Sequence, residues 1–244
     1  LDADIVWLLD MKEACGIWCH DGAHSSILIK GGHLYVNTGT GVDNTHRFIR
    51  RPDAPSLIVV DKATGRNLAR EDERISPDIF HSKWSSPSHA EIEGKATVFF
   101  CGGNGITYAF EPLEQPAPGG ELLKLTKRWQ YDMGPAAPKT QVHRFTQNKQ
   151  ESPSNIYGMP VIAGGNLFIA GGGDVFWGKN RSWLKCVDPR TGRELWSCEL
   201  GRHTLCTPGI RNGLVYATDA DGVIHCVDEA TGVAVWKHEM NGQF

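Results

Sequence analysis

Apolar residues along the chain fall in short runs, alternating or continuous, each closed by glycine, asparagine or aspartate. Runs of that length with such stops predict β-strands joined by tight turns, and no helical spacing persists long enough to predict a long helix. The runs also repeat. Val187-Asp188-Pro189-Arg190-Thr191-Gly192-Arg193-Glu194-Leu195-Trp196 returns forty residues later as Val227-Asp228-Glu229-Ala230-Thr231-Gly232-Val233-Ala234-Val235-Trp236. A third copy, from Val60-Asp61 through Thr64-Gly65 to Ala69, keeps the turn but places Ala69 where the others carry tryptophan. Phe110-Glu111-Pro112 through Arg128-Trp129-Gln130 is a fourth, its turn swollen by a proline- and glycine-rich insertion, and Trp7 fits the end of a fifth.

The unit has a physical reading. A strand ends at aspartate, whose carboxylate accepts nearby backbone N–H groups, and Thr-Gly supplies a turn residue that tolerates positive φ. The returning strand carries the tryptophan. A second hairpin precedes each copy, as in Ile27 to Val36, Pro160 to Ile169 and Pro208 to Ala217, turning at Gly-Gly or Asn-Gly. Two hairpins per period make a four-stranded antiparallel sheet, and such sheets bury both faces by stacking radially on one another. The expected fold is therefore all-β: a β-propeller with blades near 24–72, 81–133, 155–199 and 203–239, and residues 1–11 as the last strand of a preceding blade. Asp61, Gly65, Trp129, Asp188, Gly192, Trp196, Asp228, Gly232 and Trp236 are expected to be structural, with the tryptophans in the core between blades.

Composition narrows the function. A chain that is 40% hydrophobic and 22% charged is not disordered, and its 28 glycines and 13 prolines fit many turns. Lys+Arg 25 against Asp+Glu 28 gives −3 with the signs interspersed, so no basic stripe exists for a nucleic acid backbone. No apolar run is long enough for a transmembrane helix. Seven cysteines, unevenly spaced, do not form a disulfide framework, although one or two bridges remain open.

The hydrophobic-Asp-x-x-Thr-Gly-x-x-x-Trp pattern, followed by a proline-started strand and a glycine-turn strand, resembles the quinoprotein or PQQ-like repeat, best in 183–244. His81-Ser82-Lys83-Trp84-Ser85-Ser86-Pro87 and Gly41-Val42-Asp43 resemble a subfamily found in environmental bacteria such as planctomycetes. The resemblance implies a seven- or eight-bladed wheel, with missing blades in the same parent chain, and a bacterial protein in the periplasm, secreted or at the cell surface. It also raises pyrroloquinoline quinone with calcium as cofactors of the full-length parent. Those enzymes stack the quinone on a tryptophan, often under a disulfide between adjacent cysteines. No adjacent cysteine pair occurs here, and no stretch reproduces the Glu, Asn and Asp set, so no cofactor and no catalytic residue are assigned.

Other candidates are weaker. Cys15-Gly16-Ile17-Trp18-Cys19-His20 has three residues between its thiols where haem attachment needs two. His20 and His24 stand four apart, a zinc spacing on a helix, but Gly22 and the following strand argue against a helix, so no metal ligand is assigned. Asp219-Ala220-Asp221-Gly222 reads as a turn rather than a calcium loop. Residues entering each first strand lie near the axis of a propeller, so His24, His81, Trp84, Tyr157 and His203 are expected around the channel as ligand candidates. The insertions Asn37 to Pro55, Pro112 to Leu125 and Pro135 to Ser154 break the rhythm of the repeat, and the third carries Lys139, His143, Arg144 and Lys149 without an acid before Glu151. The expected role is a non-catalytic binding or scaffolding surface for a protein or carbohydrate partner, the latter through Trp177 and Trp183. The competing expectation is part of a quinone-dependent alcohol or aldehyde dehydrogenase.

Overall fold

The computed structural model describes residues 4–20, 24–174 and 176–240. A short helix, α1 (Met11–Cys15), is capped by the Asp10 carboxylate and ended by Gly16 in the left-handed region. The first sheet contains β1 (Leu28–Lys30), β2 (His33–Asn37), β3 (Leu57–Asp61) and β4 (Asn67–Arg70). The second contains β5 (Ser88–Ile92), β6 (Lys95–Cys101), β7 (Ile106–Phe110) and β9 (Lys127–Asp132), while the intervening β8 (Leu123–Lys124) pairs parallel with β4. The third runs through β10 (Val161–Ala163), β11 (Asn166–Gly172), β12 (Ser182–Val187) and β13 (Glu194–Leu200). The fourth runs through β14 (Gly209–Arg211), β15 (Leu214–Thr218), β16 (Val223–Asp228) and β17 (Ala234–Glu239).

Each sheet is an antiparallel meander in sequence order, and β5 and β10 approach one another as the first strands of neighbouring blades. This is the arrangement of propeller blades, here an open fan. Period-two alternation drives the stacking. On β6, Val98 and Phe100 face the first sheet with Tyr35, Leu57 and Val59, whereas Phe99 and Cys101 face the third with Leu167, Ile169 and Val187. Phe168, Ala170 and Leu184 then meet Val215, Ala217 and Val227 of the fourth sheet.

The repeat residues lock neighbouring blades. Asp61 Oδ1 accepts from the N–H groups of Ala63 and Thr64 and from the Thr64 hydroxyl, and Asp228 does the same with Ala230 and Thr231. Gly65, Gly192 and Gly232 follow with φ of +75°, +73° and +74°. Trp7, Trp129 and Trp196 lay their rings on these glycines and donate their indole N–H to the carbonyls of Lys62, Pro189 and Glu229. Trp129 is buried and Trp196 half-buried, but Trp236, expected in the core, is 44% exposed because no turn of a further blade covers it among the described residues. Residues 4–10, expected from sequence as part of the last strand of a preceding blade, have no ladder partner among the described residues and are held through Trp7.

Candidate functional site

In a four-stranded meander the start of the first strand and the link between the second and third emerge at the same end of the sheet. That geometry brings together the segment before β5, the β2–β3 insertion and the β11–β12 link. Side chains lace these inner ends from blade to blade. Asn37 Nδ2 donates to the carbonyls of Lys83 and Ser85, Ser85 Oγ to Gly158 O, Asn155 Nδ2 to Ser82 O, and the Met159 N–H to Thr207 Oγ1.

The β2–β3 insertion is buried from Asn37 to Asp43. Thr40 bridges Cys19, the Gly41 N–H bonds to Trp18 O, and the Val42 N–H bonds to His81 O. Gly41 has to be glycine: a β-carbon there would stand 2.9 Å from His20 Cβ and 3.1 Å from His81 O. Asp43 then caps a turn through Thr45, and the chain passes through His46 at φ 58°. His46 lies 4.8 Å from His20 and 4.9 Å from His81, ring centre to ring centre, and His20 lies 5.0 Å from His81. One ring nitrogen from each of the three lies within 4.8 Å of the others. His20 and His81 are buried, and His46 is half-buried.

Behind the cluster stands Asp174, also buried. Its Oδ2 is 3.2 Å from His81 Nδ1 and accepts from the Tyr157 hydroxyl, while Oδ1 accepts from the N–H groups of Phe176 and Trp177. Burial pushes the Asp174 carboxyl up, but the hydrogen bonds from His81, Tyr157 and Phe176, together with the charge of His81, outweigh it and leave it below the usual carboxylate range. An ionised carboxylate only accepts, so His81 donates to Asp174 from Nδ1, which leaves Nε2 as the nitrogen not engaged by Asp174. His81 Nε2 and His46 Nδ1 are buried with no hydrogen-bond partner among the described residues.

Aromatic rings surround these nitrogens. Trp177 lies 5.2 Å from His46 and Phe176 5.7 Å from His81, while Trp84 lies 4.8 Å from Tyr157 and 4.9 Å from His24. The buried indole N–H groups of Trp84 and Trp177 have no acceptor among the described residues. Of the five channel candidates, the structure links His81, Trp84, Tyr157 and His24 through ring contacts. His203 instead pairs with Asn180, its Nδ1 2.6 Å from Asn180 Oδ1. His24, considered beside His20 for its spacing, meets Trp84; residues 21–23 between them lie outside the described residues. Trp183 sits beneath Lys179 and Arg181. All seven cysteines are free thiols, so neither bridge left open by the sequence forms.

Sequence reasoning missed His46 and Asp174. The signal was the strand count: links after an even number of antiparallel strands return to the entry face, so both insertions belong to the channel end. In the third insertion, Lys139 is bound by Asp132 and Gly134 O, and His143 Nε2 by Ile79 O, while Arg144 and Lys149 are exposed. A cleft of about 1030 Å3 opens at the opposite end of the blades, walled by charged side chains such as Lys30, Glu91, Arg128 and Arg190. No helix among the described residues is long and apolar enough to cross a membrane.

Residues 126–244 match the family described as outer membrane protein assembly factor BamB. No curated protein sequence matches the chain. Among solved structures, BamB from Moraxella catarrhalis superposes with a TM-score of 0.58 at 16% identity, over 89% of this chain and 52% of that one. The quinohemoprotein alcohol dehydrogenase ADHIIG of Pseudomonas putida HK5 gives 0.55 at 16% identity over 91% and 35%, and that of Comamonas testosteroni 0.55 at 12% over 88% and 35%. The chain thus spans about half the length of the first and about a third of the other two. At these identities the likeness is one of fold.

Proposed function

We propose that this chain, whose residues 126–244 match the BamB family model and whose fold is that of PQQ-like β-propellers, supplies a non-catalytic, extracytoplasmic binding surface, with the channel end of the blades as the docking face for a protein partner. The observation that carries this reading is Phe176, 60% exposed at this end beside the half-buried rings of Trp177 and Trp84. An exposed aromatic ring set among further rings suits a protein interface, where aromatic side chains serve as anchors. Rigid blades hold the anchors in place, and the β2–β3 and β11–β12 links shape the rim.

The quinone reading finds less support. Calcium takes hard oxygen ligands, whereas the His, Cys, Asp and Glu atoms that gather in threes among the described residues are imidazole nitrogens. With no adjacent cysteine pair in the chain, the residues present do not fit that cofactor.

A photo-crosslinking residue at Phe176 in the intact protein tests the proposal in the cell envelope. The expected result is a protein adduct of defined mass that weakens when Trp84 and Trp177 are replaced by alanine, which removes the rings beside Phe176. Dye-linked alcohol or aldehyde oxidation on adding pyrroloquinoline quinone and calcium would overturn it.

A further inference from the structure

We infer that His20, His46 and His81 form a binding site for a divalent transition-metal ion of borderline softness, zinc or copper, at the channel end of the fan. The inference stands on the three side chains themselves and does not depend on the partner surface.

Four observations converge on it. The first is the donor set: three imidazoles whose ring nitrogens lie within 4.8 Å of one another. A tetrahedral zinc ion at about 2.0–2.1 Å from each nitrogen needs them somewhat closer, a gap that small rotations of three imidazoles can close. Three nitrogen donors suit zinc, copper, nickel or iron and suit calcium or magnesium poorly. The second is the unanswered pair of buried nitrogens, His81 Nε2 and His46 Nδ1, which an ion would satisfy.

The third is Asp174. A carboxylate on the far ring nitrogen is the usual support for a metal-bound histidine, because it fixes the tautomer and raises the basicity of the ligating nitrogen. Asp174 does this for His81 and is itself held by Tyr157 and by two backbone N–H groups. The fourth is backbone built for close approach. Gly41 leaves no room for a β-carbon between His20 and His81, and His46 occupies the left-handed region, where a non-glycine residue carries strain.

The three ligands come from the segment after α1, the β2–β3 insertion and the segment before β5, and Asp174 comes from the β11–β12 link. A bound ion would therefore pin parts of three blades at the hub. Three protein ligands leave a fourth tetrahedral position for water or for a side chain supplied by a partner.

The test uses the intact protein, stripped with EDTA and desalted, then titrated with Zn(II) against a chelating indicator dye. The expected result is one ion per chain, bound at micromolar Kd or tighter, with a rise in Tm on loading. His46→Ala, which alters a half-buried loop residue, should lower affinity at least 100-fold, and Asp174→Asn roughly 10–100-fold. His203→Ala should leave it unchanged. Circular dichroism confirms that each variant is folded. Independently of any variant, Cu(II) loaded at one equivalent should show electron spin echo modulation from several imidazole nitrogens. Absence of stoichiometric binding, equal affinity in His46→Ala, or a copper signal with a single imidazole would each overturn the assignment.

Discussion

Cε3 of Trp129 lies 2.7 Å from the point where a β-carbon on Gly192 would stand, and the same indole donates its N–H to Pro189 O at 2.9 Å. One side chain thus reads both the shape and the polarity of the next blade's turn. Two requirements meet at Gly192, a positive φ and an absent side chain.

These requirements separate by substitution. Gly192→Ala combines left-handed strain of roughly 1–2 kcal/mol with overpacking of roughly 1–3 kcal/mol. Gly213 has φ +75° with nothing within 4 Å, so Gly213→Ala carries only the strain. Thermal denaturation of the two variants should place Gly192→Ala lower by the overpacking share, a Tm gap of about 2–4 °C per kcal/mol for a chain of this size. Equal losses would mean that the ring moves aside freely.

Ala69 occupies the tryptophan position of the first blade, yet restoring the consensus should harm the protein. Ala69 is buried, paired with Val59 and running parallel to Leu123 of β8. The next blade offers no Thr-Gly turn, only the insertion that supplies β8. An indole there has neither glycine nor carbonyl to receive it, so Ala69→Trp should cost about 3 kcal/mol or more. A stability equal to or above that of the parent would show that β8 yields the slot.

The contrast between Trp129 and His46 explains what the sequence discloses. The Asp188–Gly192 turn is closed by bonds between near neighbours, and because it recurs, its residues stand out against the rest of the chain. His46 reaches the hub only because the Asp43–Thr45 turn, the Cys19–Thr40 bridge and the glycine at 41 fold the insertion inward, and none of these has a period. Spacing pointed from His20 to His24, four residues away, whereas the rings that meet His20 come from distant segments. His203 was legible as lying at the end of a blade, but its partner, Asn180, was fixed by the path of the β11–β12 link.

Lys83 and Glu71 grip opposite poles of one residue. Lys83 Nζ donates to Ser56 O at 2.8 Å and to Thr38 Oγ1 at 3.0 Å, while Glu71 Oε1 accepts from the Ser56 N–H at 2.7 Å. Burial pushes the Lys83 ammonium down to about 7 against the pull of Glu71. Removing one charge strands the other, so Lys83→Met should cost roughly 3–5 kcal/mol. Lys83→Met with Glu71→Gln should cost less than the sum of the two single changes, by roughly 0.5–3 kcal/mol in a double-mutant cycle. Strict additivity would show that the two groups do not sense each other.

Asp188 carries a pH dependence of known sign. Its carboxylate accepts from Arg190 Nε and Nη2 at 2.9 Å each and from the Arg190 N–H at 2.9 Å. The Arg190 side chain leads in holding its pKa down to about 2, against about 3.9 for an unstructured chain. The folded state therefore takes up this proton less readily than the unfolded state, and the stabilisation is complete above pH ~4 and lost as pH falls through ~2. About half should remain at pH 3 by the same linkage. Arg190 is 56% exposed in its side chain, so added salt should trim the effect. Asp188→Asn keeps an oxygen acceptor for the turn and removes the charge. Paired denaturation of parent and variant should give a constant difference from pH 7 to pH 5 that shrinks toward pH 3. A difference that persists unchanged to pH 3 would mean that the turn is held by hydrogen-bond geometry alone and that the ion pair adds nothing.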